Sequence, residues 1–262
     1  MKSLHPQTNR IRLQILNWQK SGRKHWDVYR HLLNTYVLHD ALKLVIANKG
    51  SSGIDKQTIQ SAIGREQVFV SELISELRSG AYQPSAVKRV CIPKKDGTSR
   101  PLGIPTLKDR VIQRALVLLM EPIYESLFLD FSFGFRPMRR ARDCAWVVGK
   151  VAFTHRIVFD ADIEKFFDNV NQNQLMHFLK KQIVDPRIHK MIWKFFKAGF
   201  IEPGKPWQAS TKGTPQGGPL SPLLANIYLH YGLDVKFQEI YGNNSAVKLI
   251  RYADDFVILC NP

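Results

Sequence analysis

Two pairs of aspartates stand out because each ends an otherwise apolar run. RIVFDADI (156–163) carries Asp160 and Asp162, and AVKLIRYADDFVILC (246–260) carries Asp254 and Asp255. Leaving unpaired carboxylates beside apolar strands is costly unless a cation lies between them. Hard oxygen donors at strand tips suit Mg²⁺, which keeps several waters and takes its other ligands from carboxylates and phosphates. Two such ions about 3.5–4 Å apart can activate an attacking hydroxyl and stabilise the leaving oxygen in phosphoryl transfer. The competing reading is ion pairing with the many Lys and Arg residues. At period two, Asp160 and Asp162 face the same side of a strand, so spacing does not choose between them.

The elements that must position these acids are legible in the pattern. Residues 156–163 read as a buried strand, and 246–260 as a hairpin with the acids at its tip. AVKRVCIPKKDGTSRPLGIP (86–105) alternates on both sides of Asp96-Gly97 and predicts a second hairpin, with Lys94, Lys95 and Arg100 at its turn. Helical spacing predicts helices over about 27–47, 66–79 (stopped by Gly80), 106–128, 186–198 and 223–241. Pro122 is expected to kink or break the third of these. Arg110 and Arg114 lie four apart on one face of it. The Gly/Pro-rich stretch 201–222 predicts hairpin plus loop. Helices mixed with antiparallel hairpins predict an α+β fold, and neither internal repeats nor a low-complexity linker is present.

The charge balance narrows the partner. Among 262 residues, 38 are Lys or Arg and 22 are Asp or Glu, a net charge of +16. A domain this basic is expected to meet nucleic acid, because each neutralised phosphate releases condensed counterions. The charge is spread along the chain rather than gathered on an amphipathic helix, which disfavours a membrane surface. Cys91, Cys144 and Cys260 match no zinc spacing and are expected to be reduced core residues of an intracellular protein. No apolar run is long enough for a signal peptide or a membrane span.

Taken in order, seven blocks carry a resemblance: NKGSSGID (48–55), IPKKDGTSRPLGIPTLKDRVIQRAL (92–116), EPIYESLF (121–128), SFGFRP (132–137), DIEKFFDNV (162–170), GTPQGGPLSPLLANIYL (213–229) and YADDFVIL (252–259). Together they resemble the reverse transcriptases encoded by bacterial group II introns. CRISPR-associated and defence-associated enzymes of the same stock share the pattern. The resemblance implies a right-hand polymerase architecture of fingers and palm, with an antiparallel palm sheet packed with helices. It divides the chain into a helical extension (1–47), fingers with the extension loop (48–155) and palm (156–262).

The resemblance also implies roles. Asp162, Asp254 and Asp255 match the catalytic, metal-binding acids, and Ile163 joins them among the metal-holding positions. Two Mg²⁺ ions are implied, with Mn²⁺ as a substitute. Phe167 matches the steric gate, where a bulky ring clashes with a ribose 2′-hydroxyl, and core packing is the competing role for it and Phe166. Lys94 and Arg100 match residues that close over the triphosphate, with Lys95 the nearest competitor. Gln216 and Gly217 match the loop that contacts the nucleotide and templating base; no Lys-Ser/Thr follows, so it is not a Walker loop. Gly50, Ser51 and Gly53 match a template-holding extension. Arg110, Arg114 and Arg136 are candidates for backbone contacts, with pairing to acids the alternative.

The expected partners are an RNA template, a DNA or RNA primer, dNTPs and intron RNA, in the bacterial cytoplasm and without a membrane. The sequence stops after the YADD hairpin, where the family continues with further palm strands and a helical thumb. An absent thumb, weak processive synthesis and a last strand, FVILC, at or near a sheet edge are therefore expected. The other functional readings are a catalytically weak RNA-binding fragment and an RNA-templated RNA polymerase, against which Phe167 argues.

Overall fold

The computed structural model describes residues 3–93, 97, 99–214 and 217–261. Lys94, Lys95 and Gln216 lie outside the described residues, as does the side chain of Arg100.

The first half of the chain is built around one helix. Helix α1 (Pro6–Lys20) is followed by α2 (Val28–Leu32), α3 (Thr35–Ala47), α4 (Glu66–Ser79) and, after a hairpin, α5 (Leu107–Glu125). Nearly every residue of α5 is buried, including Val111, Ile112, Ala115, Leu116, Leu119 and Ile123 at 0% exposure. A helix apolar on most sides belongs in the middle of a core, and α1, α2 and α3 pack on it. Thr106 caps it by accepting from the Asp109 N–H. The helix runs through Pro122 without a break. The predicted helix over 27–47 is instead two helices, because the Asn34 side chain accepts from Tyr36 N–H and Val37 N–H and starts α3 afresh. Helix α4 ends at Gly80 (φ 76°) as its sequence predicts.

The hairpin of β1 (Val87–Pro93) and β2 (Ser99–Ile104) forms one sheet with β4 (Phe200–Ile201), in the order β2-β1-β4. Strand β4 runs parallel to β1, and among the described residues only the bridge Phe200↔Gln208 remains of the hairpin expected over 201–222. The second sheet contains β3 (Ile157–Asp162), β5 (Val247–Tyr252) and β6 (Asp255–Cys260), antiparallel and in the order β3-β6-β5. Two expectations are corrected here. The FVILC strand, β6, is central rather than at an edge, because the distant β3 pairs along its whole free side. Strand β3 is the edge, and Ile157, Val158 and Phe159 are 49%, 51% and 60% exposed rather than buried.

Helix α6 (Ala141–Ala152) covers one face of this sheet through Cys144, Val147, Val148 and Val151, against Phe133, Ile250 and Leu259. Between β3 and β5 the chain makes α7 (Phe166–Asn169), α8 (Gln172–Lys180), α9 (Pro186–Lys197), α10 (Ser221–Leu229) and α11 (Val235–Tyr241). A π-helical turn at His230–Asp234 interrupts the single helix predicted for 223–241. Of the cysteines, Cys144 is buried and Cys260 partly so, but Cys91 is exposed on the hairpin, so the expectation of three core residues fails there. No helix among the described residues is long and apolar enough to cross a membrane.

Candidate active site and nucleic-acid cleft

A two-residue connection, Ala253-Asp254, joins β5 to β6. Ala253 has φ 58°, a left-handed conformation that costs a non-glycine residue roughly 1–2 kcal/mol. The surroundings over-determine it. Arg251, with 0% of its surface exposed, donates from Nη1 to the Ala253 carbonyl at 2.7 Å and to Asn226 Oδ1 at 3.1 Å. Its Nη2 donates to Ser132 Oγ at 2.7 Å and to Asp234 Oδ2 at 2.6 Å, and its Nε to Asp234 Oδ1 at 2.8 Å. Asn226 Nδ2 in turn donates to the Gly134 carbonyl at 2.7 Å. Gly134 lies so close under the turn that a Cβ there would overlap the Ala253 backbone nitrogen. Residues 131–133 exchange backbone hydrogen bonds with Arg251 at 2.8 Å, extending the sheet beside β5. The SFGFRP, LLANIYL and YADD blocks, far apart in sequence, thus meet at one guanidinium.

Register brings the acids together. Asp162, the last residue of β3, stands directly opposite Asp255, the first of β6, and Asp160 stands opposite Val257. The Asp255 carboxyl is raised above the ordinary aspartate range, first by partial desolvation and then by the like charges of Asp254, Asp162 and Asp160. Although Asp255 touches water, protein around it desolvates part of the carboxyl. Among the described residues no Lys or Arg forms an ion pair with Asp160, Asp162 or Asp255, which removes the simplest competing reading for those three.

Repelling carboxylates with hard oxygen donors fit a divalent cation in chemistry. Among the described residues, however, no three acid, His or Cys side chains already converge as a ligand set. The Ile163 carbonyl accepts the Phe166 N–H at 3.2 Å, and its side chain packs on the main core.

Phe167 sits on α7, half-buried, with its ring edge-on to Phe135 (centroids 6.2 Å apart) and Phe166 (5.5 Å). Phe166 is the buried member of the pair and belongs to the core. The loop before α10 is pinned to this turn, since Gly213 N–H donates to the Val170 carbonyl and Thr214 N–H to the Phe167 carbonyl, each at 2.8 Å. Beyond the undescribed Gln216, Gly217 (φ 103°) rests on β2, where a Cβ would overlap the Gly103 carbonyl oxygen.

Beside β2 lies a cleft of about 390 Å³ lined by Gly50, Ser51, Leu102, Arg110, Arg114 and Gly217, among others. Arg110 is only 8% exposed, yet its Nε and Nη2 have no hydrogen-bond partner among the described residues, and neither has Nε of Arg114. Burial, the largest cause for each, pulls both guanidinium pKa values down, with Asp55 opposing it at Arg110 and Glu121 at Arg114. Buried, unsatisfied cationic donors beside an open cleft are poised for an anion.

Two further candidates, Gly53 and Arg136, do not line this cleft. Gly53 is buried against the Pro105–Thr106 backbone, behind Pro105, which lines the cleft where Gly53 itself does not. Arg136 is 7% exposed and committed to Glu125 (2.7 Å from Nη2) and to the Leu129 and Ser132 carbonyls (2.7 Å each). Its alternative role, pairing with an acid, is the observed one. A separate hollow of about 350 Å³ between β1, α9 and residues 209–214 reaches Asp168 but none of the strand-tip aspartates.

Arg251, Asp234, Asn226 and Ser132 were not among the residues singled out from the sequence. The available signal was an arginine inside the apolar run AVKLIRY, since a charge in a buried strand requires a partner.

The chain is similar to known proteins. Residues 92–262 match the reverse transcriptase (RNA-dependent DNA polymerase) family. Protein YkfC of Escherichia coli K12 is 37% identical over 260 residues, covering 85% of this chain and 67% of that protein. The group II intron-encoded protein LtrA of Lactococcus lactis is 39% identical over 208 residues, covering 78% of this chain but 34% of that protein. Among solved structures, a partial Cas6-RT-Cas1–Cas2 complex shares the fold with a TM-score of 0.52 at 24% identity, over 88% of this chain and 38% of that one. With strand-tip aspartates in register and this likeness across most of its length, the chain belongs to the reverse transcriptase (RNA-dependent DNA polymerase) family, among those encoded by group II introns and their derivatives.

Proposed function

We propose that this chain carries out RNA-templated DNA synthesis, with residues 48–155 acting as fingers and 156–262 as palm. The observation that carries the reading is the opposition of Asp162 and Asp255 beside the strained turn that presents Asp254. Asp162, Asp254, Asp255 and the Ile163 carbonyl would hold two Mg²⁺ ions, which when bound supply charge stabilisation to the attacking and leaving oxygens. The role of the chain itself is to fix these donors before substrate arrives, which Arg251 does through the Ala253 carbonyl.

Phe167 acts as the sugar gate, supported by its half-exposed ring on the turn that anchors residues 213–214. Arg110 and Arg114 take template phosphates, supported by their buried, unpartnered nitrogens beside Gly50 and Ser51. Gln216 and Gly217 contact the nucleotide, and Lys94 and Arg100 its triphosphate. Intron RNA is a further partner in this reading. A bacterial cytoplasmic location accompanies it, supported by the bacterial relatives.

The test is Mg²⁺-dependent addition of one dNTP to a primer on an RNA template, by wild type and Asp254→Ala. Addition that disappears in the variant supports the proposal. A second reading, RNA binding without turnover, is favoured by the absence of a converged ligand set among the described residues. RNA binding with no addition by wild type would select it. Within the first reading, Phe167→Ala should relax discrimination against ribonucleotides; unchanged sugar selectivity would remove the gate.

A further inference from the structure

Helix α1 ends on an aromatic and basic surface that the polymerase chemistry does not use. Trp18, on its last turn, is 42% exposed, and Trp26, just before α2, is 68% exposed. Single exposed apolar residues are ordinary, but two indoles on one hollow are not. Both line a cleft of about 260 Å³ together with His25, His31, Asp27 and Arg30. That is below the roughly 300–1,000 Å³ of drug-sized pockets and suits one planar group. It has no lining residue in common with the cleft at Arg110.

Three arginines, Arg23, Arg30 and Arg187, lie at or beside the hollow against its one lining acid, Asp27. That acid is already neutralised by Arg187 at 2.9 Å and approached by Arg30 at 3.7 Å. The Arg23 guanidinium lies 5.4 Å from the Trp18 ring centroid, and the Arg30 side chain is 80% exposed. Burial lowers the His25 pKa to about 4 and also lowers that of His31, so both imidazoles are neutral near pH 7. His25 is buried and engaged with Gln19 Oε1 at 2.9 Å, so the partly exposed ring of His31 is the one that offers a donor and an acceptor suited to a base edge.

We infer that the hollow between Trp18 and Trp26 is a binding site for an unpaired nucleobase of single-stranded RNA, stacked on indole with its flanking phosphates at Arg23 and Arg30. Exposed aromatic faces bind splayed bases through stacking, whereas bases inside a duplex cannot reach them. The surrounding positive charge favours a polyanion over an apolar peptide. The inference rests on the reading of this chain as an RNA-binding protein and not on its polymerase chemistry.

The experiment uses the full chain with labelled oligoadenylate RNA, a blunt RNA duplex and polyglutamate, comparing wild type, Trp26→Ala and Trp26→Phe by fluorescence anisotropy. The expected result is a Kd for oligoadenylate about tenfold weaker in Trp26→Ala and largely restored in Trp26→Phe, with duplex binding unchanged. Because Trp26 is exposed, folding of the variants is expected to be unaffected. Equal oligoadenylate binding by Trp26→Ala and wild type would overturn the site, as would parallel loss of single strand and duplex. Polyglutamate binding that depends on Trp26 while oligoadenylate binding does not would assign the surface to an acidic protein partner and overturn it too. If wild type binds neither RNA, the RNA-binding reading fails and the inference falls with it.

Discussion

Arg251 and Asp234 form an ion pair with both side chains at 0% exposure, closed by contacts of 2.6 and 2.8 Å. The same guanidinium reaches Asn226, Ser132 and the Ala253 carbonyl, so it serves both stability and the shape of the aspartate turn. Removing one member leaves a buried charge alone, which typically costs about 3–5 kcal/mol. Arg251→Met should therefore lower unfolding free energy by about that amount in urea denaturation. The double variant Arg251→Met/Asp234→Leu should recover much of it, because an apolar pair of similar volume is often tolerated. Nucleotide addition should stay low in the double variant, because Ala253 has still lost its donor. Full recovery of activity along with stability would show that the pair only holds the fold.

Gly134 should tolerate no side chain. Gly134→Ala places a methyl against the Ala253 nitrogen, and overpacking of this kind costs about 1–3 kcal/mol. Thermal unfolding should register the loss, and nucleotide addition should fall further than in a core variant of equal stability. An unshifted melting temperature would contradict the close approach.

Asp255 should trade stability for function. Its folded pKa is raised, so its favourable contribution is present at acid pH and is lost as pH rises through the folded pKa. Metal-free Asp255→Asn should therefore lose less stability than wild type between acid and neutral pH. The gain at pH 7 should stay under about 1 kcal/mol, because water screens the group. The same variant should lose Mg²⁺-dependent incorporation. Equal pH–stability profiles for the two proteins would remove the repulsion from the account.

Arg110 should behave as a residue held ready for an anion. Arg110→Met removes two unsatisfied buried nitrogens, so the melting temperature should hold or rise. RNA affinity should fall, and the slope of log K against log salt should shrink by about one. A destabilised variant with unchanged RNA binding would mark Arg110 as structural.

Acid should weaken the fold through its histidines. Burial depresses His230 and His25 from 6.5 to about 4. Their contribution is fully present above pH 6.5 and is lost as pH falls towards 4, where the unfolded chain binds the protons. His230→Gln and His25→Gln should each flatten the loss of stability over that window in denaturant titrations. Unchanged profiles would show that carboxylates alone govern the acid limb.

Much of the site was legible because its parts are local. The β5–β6 hairpin, with Asp254 and Asp255 at its tip, follows from two apolar runs around a polar pair. The hairpin over 87–104 and the stop at Gly80 follow equally from turn and cap chemistry. The sequence was less informative where a residue's environment depended on partners outside its own element. For Arg136 the sequence left a nucleic-acid contact and an acid pair both open, and the structure pairs it with Glu125. Strand β3 looked buried because its residues are apolar, but it lies at the sheet edge with three of them exposed.

The sequence by itself determined the kinds of elements, the α+β class, the basic character and the identity of the strand-tip acids. Those properties depend on periodicity, turn residues and charge, which act over a few positions. Only the tertiary structure decided that β6 lies between β3 and β5, that Asp162 faces Asp255, and that Arg251 joins Ser132, Asn226, Asp234 and the Ala253 turn. Strand order depends on which backbone edges meet after the helices have packed. A buried guanidinium takes whichever acceptors that packing brings within reach, and Ser132 is 119 residues away along the chain.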